Sequence, residues 1–274
     1  MLDIEYYKHK YFIFDKPCIY TKNNKEFTLY PVSLEDSEDF LKASQIISID
    51  KNSLSSVEII QMTYLKFICS VLFRNKNNIN DFVTILRLSL HMYNPKIGID
   101  ANNKYVVFDE DADISIAERE FEDIRRLILY QNIVSFDDSY IDPDLKKAID
   151  ETNKLRNKDI DFPDIERKMA IITSHCGISK LDQQKMTYRA HTMLWNEVCS
   201  DIDFSTTRAV ALFSGEKTEH WIYKKKKDKM DDYIISGEKF ADKLGANFQD
   251  LENNAKVVNV NLYEQKFNKM EEVL

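Results

Sequence analysis

The sequence predicts a mainly α protein of the α+β class: a helical protein with one or two small β-hairpins. Three observations predict it. Apolar residues recur at helical spacing in most of the long apolar segments. Two runs rich in aromatic and β-branched residues flank polar turns, at 10–30 and at 97–108. The 274 residues include only 5 Gly and 5 Pro, too few for barrels, sandwiches or Gly-rich nucleotide folds, which need frequent turns and positive-φ positions.

In order along the chain, YFIFDKPCIY and EFTLYPV predict the first hairpin, with KNNK as its turn. A helix is expected from Leu34 to about Ser48, with Phe40, Leu41, Ile46 and Ile47 apolar and Ser33 paired with Asp36 as its cap. The run SSVEIIQMTYLKFICSVLF predicts one well-buried helix with a wide stripe through Val57, Ile60, Tyr64, Phe67, Ile68, Val71 and Leu72. Asp81 can cap the next helix, DFVTILRLSLHMY, which must end before Pro95. IGIDANNKYVVF predicts the second hairpin. SIAEREFEDIRRLILYQN predicts an amphipathic helix burying Ile116, Phe121, Ile124, Leu127, Ile128 and Leu129. Its acids lie early and its arginines late, which suits the helix dipole.

Asp142 and Pro143 start a polar helix with few apolar anchors. It reads as a surface connector, 137–162. It separates an N-terminal hairpin-and-helix domain, 1–136, from a C-terminal helical region, 163–274. In that region PDIERKMAIITSHCG ends at Gly177, LDQQKMTYRAHTMLWNEVCSDI is amphipathic, and TTRAVALFSG predicts a short helix ending at Gly215. The last fifty residues are polar and contain a lysine run, so looser order is expected there.

Composition narrows the function. A formal charge of −8 favours solubility and disfavours general adhesion to nucleic acid. MLDIEYYKHK has no apolar core, so no signal peptide is expected. No apolar stretch reaches the roughly 20 residues of a membrane span. The four cysteines, Cys18, Cys69, Cys176 and Cys199, form no C-x-x-C pair, and a reducing cytoplasm suits them.

Catalytic and metal signatures are weak. His175 and Cys176, with His191 and Cys199 downstream, lack the paired short spacings of a zinc site and read as packing or surface residues. The acidic runs FDEDAD (108–113) and FDDSYIDPD (136–144) do not fit an EF-hand loop and read as solvated turn or helix-start carboxylates. The P-loop, GxGxxG, GxSxG and HExxH patterns do not occur. No catalytic residue, metal or cofactor is therefore assigned. Lys224–Lys229, KKKKDK, is the one basic cluster, with Trp221 and Tyr223 just ahead. It would be the contact for nucleic acid, yet Asp228, Asp231 and Asp232 neutralise its neighbourhood.

Between Ile114 and Tyr233 the pieces IRRLILYQN, DDSYIDPDL, CGIS followed by MTYRAHTML, and HWIY before the lysines resemble a family. It comprises the tail-assembly chaperones and baseplate hub assembly proteins of large tailed bacteriophages of Gram-positive bacteria. The resemblant pieces span a little under half of the chain. They are packing and turn patterns, so they carry no active site across. The resemblance implies a non-enzymatic protein that binds phage tail or baseplate subunits through helical surfaces. It would act in the host cytoplasm or remain in the virion tail. A homo-oligomer is compatible with it. Tyr188, Met193, Leu194, Trp195 and Trp221 are the candidate partner-binding residues. The alternatives are a structural tail or baseplate component and a nucleic-acid-binding protein using Lys224–Lys229.

Overall fold

The computed structural model describes residues 2–51, 54, 56–139, 141–215, 218, 220 and 222–223. Among them are ten α-helices and two small antiparallel sheets, so the chain is mainly α with small hairpins. Contacts group residues 1–221 as one unit and 222–274 as another. Trp221 and Lys224–Lys229 lie outside the described residues.

Helix α1 (Ile4–Lys10), which the sequence reading did not anticipate, starts at Asp3, whose carboxylate accepts from Tyr6 N at 3.1 Å. The first hairpin is shorter than expected: β1 (Cys18–Lys22) pairs with β2 (Lys25–Leu29). Phe12–Phe14 forms a tight 3-10 turn instead of a strand, because Asp15 takes a left-handed conformation and Lys16 N returns to Tyr11 O. The KNNK turn is a two-residue connection with Asn23 and Asn24 both at positive φ (53° and 59°). That geometry matches the twist of a hairpin, and Asn tolerates it. One face of the hairpin, Cys18, Tyr20, Phe27 and Leu29, is buried.

The second hairpin gains a strand. β3 (Lys96–Ile99), β4 (Tyr105–Asp109) and β5 (Ile114–Ala117) make a meander. β5 takes residues expected to open the following helix. Helix α6 (Glu118–Asn132) starts only where Glu120 reaches back to Ala117 N at 2.9 Å. The apolar residues predicted for this segment are all buried, Ile116 from the strand and the other five from α6. Arg125 and Arg126 lie in the middle of α6, not in its last turn.

Helix α2 (Ser37–Ser48) begins later than expected. The Ser33–Asp36 pair forms, with Asp36 N donating to Ser33 Oγ at 3.2 Å, but it closes a turn ahead of the helix. The long helix predicted over 55–73 is broken into α3 (Val57–Gln61) and α4 (Tyr64–Ser70), followed by a short 3-10 turn. Met62 and Thr63 are extended, and Thr63 caps α4 while its hydroxyl also bonds Glu118 at 2.9 Å. The broken first piece is not buried: Val57 and Ile60 are exposed. Helix α5 (Lys76–Leu90) is capped by Asn75 rather than Asp81, which lies within the helix. α2 packs on α5 and α4 on α6, and these helices with the first hairpin enclose the main core around Phe40, Phe67, Phe82 and Phe121.

Helix α7 (Pro143–Arg156) starts at the expected Asp142 cap, and α8 (Ile165–Cys176) ends at Gly177, left-handed as expected. The amphipathic segment that follows is two helices, α9 (Lys180–Lys185) and α10 (Tyr188–Ser214). The break falls at Met186–Thr187 because this dipeptide is extended and pairs with the body. Leu34 N donates to Met186 O and Tyr188 N to Val32 O, both at 2.8 Å, and Ser33 bridges Thr187. Past the break no stop occurs, so the short helix expected at TTRAVALFSG is the continuation of α10. Gly215 ends it in the left-handed conformation.

Candidate interaction surface

Gln183 of α9 holds the C-terminal helices together. The two N–H groups of its buried amide are shared among Met169 O (3.1 Å), Thr173 Oγ1 (3.0 Å) and Ile178 O (3.1 Å), and its carbonyl meets His191 Nε2 at 3.3 Å. One side chain thus ties α8, the turn after it and α10. Burial lowers the pKa of His191, and the charge of Lys168 lowers it further. Both effects favour neutral imidazole beside the amide. At the far end of α8, His175 Nε2 lies 3.1 Å from Asp201 of α10.

The candidate residues of α10 divide between faces. Tyr188, His191, Trp195 and Val198 recur at spacings of three and four and so share one side. His191 and Val198 are buried there; Tyr188 and Trp195 are half-buried, with the Lys168 ammonium 5.8 Å from the Trp195 ring centroid. Leu194 is half-buried to one side, and Met193 points the opposite way, 43 % exposed.

Apolar exposure continues around this region. Leu145 and Leu155 of α7, Ile160 and Phe162 of the following loop, Ile165 of α8 and Leu181 of α9 are exposed. The second half of α10 adds Ile202, Val210, Leu212 and Phe213. Among the described residues beyond 142, the buried apolar side chains are Ile172, Val198 and Ala211. These helices therefore present more large apolar side chains to water than they bury, the reverse of the core around α6.

A second feature is a polar cleft of about 300 Å³ lined in part by Asp50, Tyr64, Glu122, Arg126, Asp138 and Lys146. Behind it Arg125 is buried. Its guanidinium lies 3.6 Å from the Tyr64 ring centroid and donates to Ile47 O (2.5 Å) and Tyr64 Oη (3.0 Å), while the Tyr64 hydroxyl donates to Ile49 O. Ile47 is in the last turn of α2, so the buried cation meets a carbonyl at a negative helix end. In front, Arg126 grips Asp138 with two bonds, 2.5 and 3.2 Å, and Tyr130 Oη donates to the same carboxylate at 2.5 Å. Burial raises the Asp138 pKa, but the bonds and charge of Arg126 together with Tyr130 outweigh it, and the net shift is downward. Lys146 of α7 meets Asp50 at 2.8 Å. These pairs fasten the connector to α6 and α2.

The acidic runs are less solvated than the sequence suggested. Asp138 is ion-paired, and Asp109 is buried, accepting from Asn94 N (2.8 Å), Asp111 N (3.0 Å) and Ala112 N (3.3 Å). Those backbone bonds, Asn94 foremost in the direct geometry, hold its carboxyl below the usual range against the opposing effect of burial. Asp142 is the helix-start carboxylate expected. Among the described residues no group of three or more His, Cys, Asp or Glu is arranged to hold a metal ion. No described helix is long and apolar enough to cross a membrane. Comparison with protein-family models, with curated proteins and with solved structures finds no match.

Proposed function

We propose that this chain is a non-enzymatic bacteriophage tail or baseplate assembly protein that binds tail subunits through the surfaces of its C-terminal helices. The observation that carries the binding role is the apolar exposure of α7–α10. Large apolar side chains left in water across four helices mark a surface made to be covered. The phage setting is supported by the sequence resemblance, whose pieces lie in α6 and in this same region. Gln183 and the Asp138 and Asp50 ion pairs support it further, because they hold the helices in place without filling the surface. A preformed apolar face can bind an unassembled subunit at low ordering cost.

The test is co-expression with individual tail-tube, tape-measure and baseplate subunits, followed by co-purification. A stable complex with at least one, weakened by Leu155→Glu or Leu181→Glu, is the expected result. Failure to bind any of them removes the proposal. Mass spectrometry of purified virions then separates the two roles: absence marks a transient chaperone, and stoichiometric presence marks a retained component.

A further inference from the structure

We propose that two copies of this chain pair antiparallel along the second half of α10. The inference stands apart from the tail-assembly reading, because self-pairing is measured on the purified chain with no tail subunit present.

α8 and α10 run side by side in the same sense, with Lys168 near Trp195 and, further along both, His175 near Asp201. α8 then ends at Cys176 whereas α10 continues to Ser214. Residues 202–214 therefore extend past their neighbour by about 20 Å at the α-helical rise. The far side is partly covered: the His220 ring lies 4.7 Å from that of Phe204, and Ala211 is buried. The near side carries Ile202, Thr206, Ala209 and Phe213, which fall on one narrow face. Ile202 is 44 % exposed and Phe213 94 %, with Val210 and Leu212 flanking at 63 % and 77 %. A helix draws most of its stability from packing an apolar face, and nothing described in the chain packs on this one.

The pattern fits a second copy. The spacing 202, 206, 209, 213 reads the same in both directions. An antiparallel copy therefore sets Ile202 against Phe213 of the partner subunit and Thr206 against Ala209 of the partner subunit. Bulky residues lie at the two ends and small ones at the centre, where the helices approach most closely. The Thr206 hydroxyl already donates to Ile202 O at 2.8 Å, so it brings no unsatisfied group into the seam. Asp201, Asp203 and Arg208 lie on the flanks, so no charge is buried. With Val210 and Leu212 only flanking the seam, the pair covers at most about 1,000 Å² in all, the lower limit for a specific interface. The pair is accordingly weak, with a dissociation constant of order micromolar.

Sedimentation velocity of the full chain from about 1 to 100 µM, spanning that range, tests this. A concentration-dependent shift from monomer to dimer is expected. Phe213→Glu should abolish it. Ala209→Leu should weaken it at least tenfold by crowding the centre, although it adds apolar surface that would strengthen non-specific association. Val57→Glu, on exposed α3, should leave it unchanged. All three positions are exposed, and unchanged melting confirms that each variant folds. A monomer at the highest concentration overturns the proposal. So does a dimer that survives Phe213→Glu, or one that Ala209→Leu strengthens.

Discussion

The Arg125 guanidinium stacks on the Tyr64 ring, 3.6 Å from its centroid, and also donates to the hydroxyl of that same tyrosine. The arrangement locks three elements. Arg125 belongs to α6, Tyr64 opens α4, and their acceptors Ile47 and Ile49 lie at the end of α2. Tyr64→Phe keeps the stack but leaves the Ile49 carbonyl and one Arg125 nitrogen without a partner, which should cost about 1–3 kcal/mol. Arg125→Leu removes the stack and takes the side-chain donor from the Ile47 carbonyl, and about 2–4 kcal/mol is expected. Urea unfolding of the two variants measures both. If Arg125→Leu matches the parent within error, the lock is not a source of stability.

Asp138 sets a pH dependence at the acid end. Its folded pKa lies below the unfolded value of about 3.9. A depressed carboxylate contributes stability that is complete above the unfolded value and is lost as pH falls through the folded one. The pair is partly exposed, so about 1 kcal/mol is expected from Asp138→Asn at pH 7. The difference between parent and variant should be smaller at about pH 3, below the unfolded value, than at pH 7. An equal difference at both pH values would show that the carboxylate charge is not what fastens the connector.

His191 acts in a separate window. Its folded pKa lies below the ordinary value, because burial, and then the Lys168 charge, disfavour the imidazolium. Below about pH 6.5 the unfolded chain takes up a proton that the folded chain resists. The unfolded state then binds more protons, so stability declines as pH falls towards the folded pKa. The stability of α8–α10 should decrease from pH 7 to pH 5, followed by the fluorescence of Trp195 in a Trp221→Phe background. His191→Gln should flatten that slope. A parent protein equally stable at both pH values would falsify the assignment.

What could be read in advance was the burial pattern of continuous elements. The apolar face of α6 was visible because its period is uninterrupted from Phe121 to Leu129. The breaks at Thr63 and Thr187 were not, because apolar periodicity runs across both. What decides them is a local event: each threonine caps the next helix, one bonding Glu118 and the other lying beside Ser33. The organising polar residues were hidden for a related reason. Gln183 and Arg125 carry no motif. Their importance comes from acceptors on other helices, and only the fold brings those together. Tyr188, Met193, Leu194 and Trp195 cannot share one narrow stripe at their spacing, and Trp195 and Met193 lie on different faces of α10.

Those two residues give the sharpest test of how α10 is used. Trp195 is half-buried beside Lys168, whereas Met193 faces away and is 43 % exposed. Trp195→Ala should therefore lower stability, though by less than a fully buried tryptophan would, about 1–3 kcal/mol. Met193→Glu should leave stability within about 0.5 kcal/mol, as surface changes usually do. If the outer face of α10 meets a tail subunit, Met193→Glu should instead weaken the complex, because a charge would be desolvated against an apolar contact. Melting and subunit binding measured on the same two variants separate packing from recognition. Loss of stability in Trp195→Ala together with undiminished binding in Met193→Glu would assign the first half of α10 to the body of the protein alone. Recognition would then have to rest on α7, α8, α9, the loop between α7 and α8, and the second half of α10.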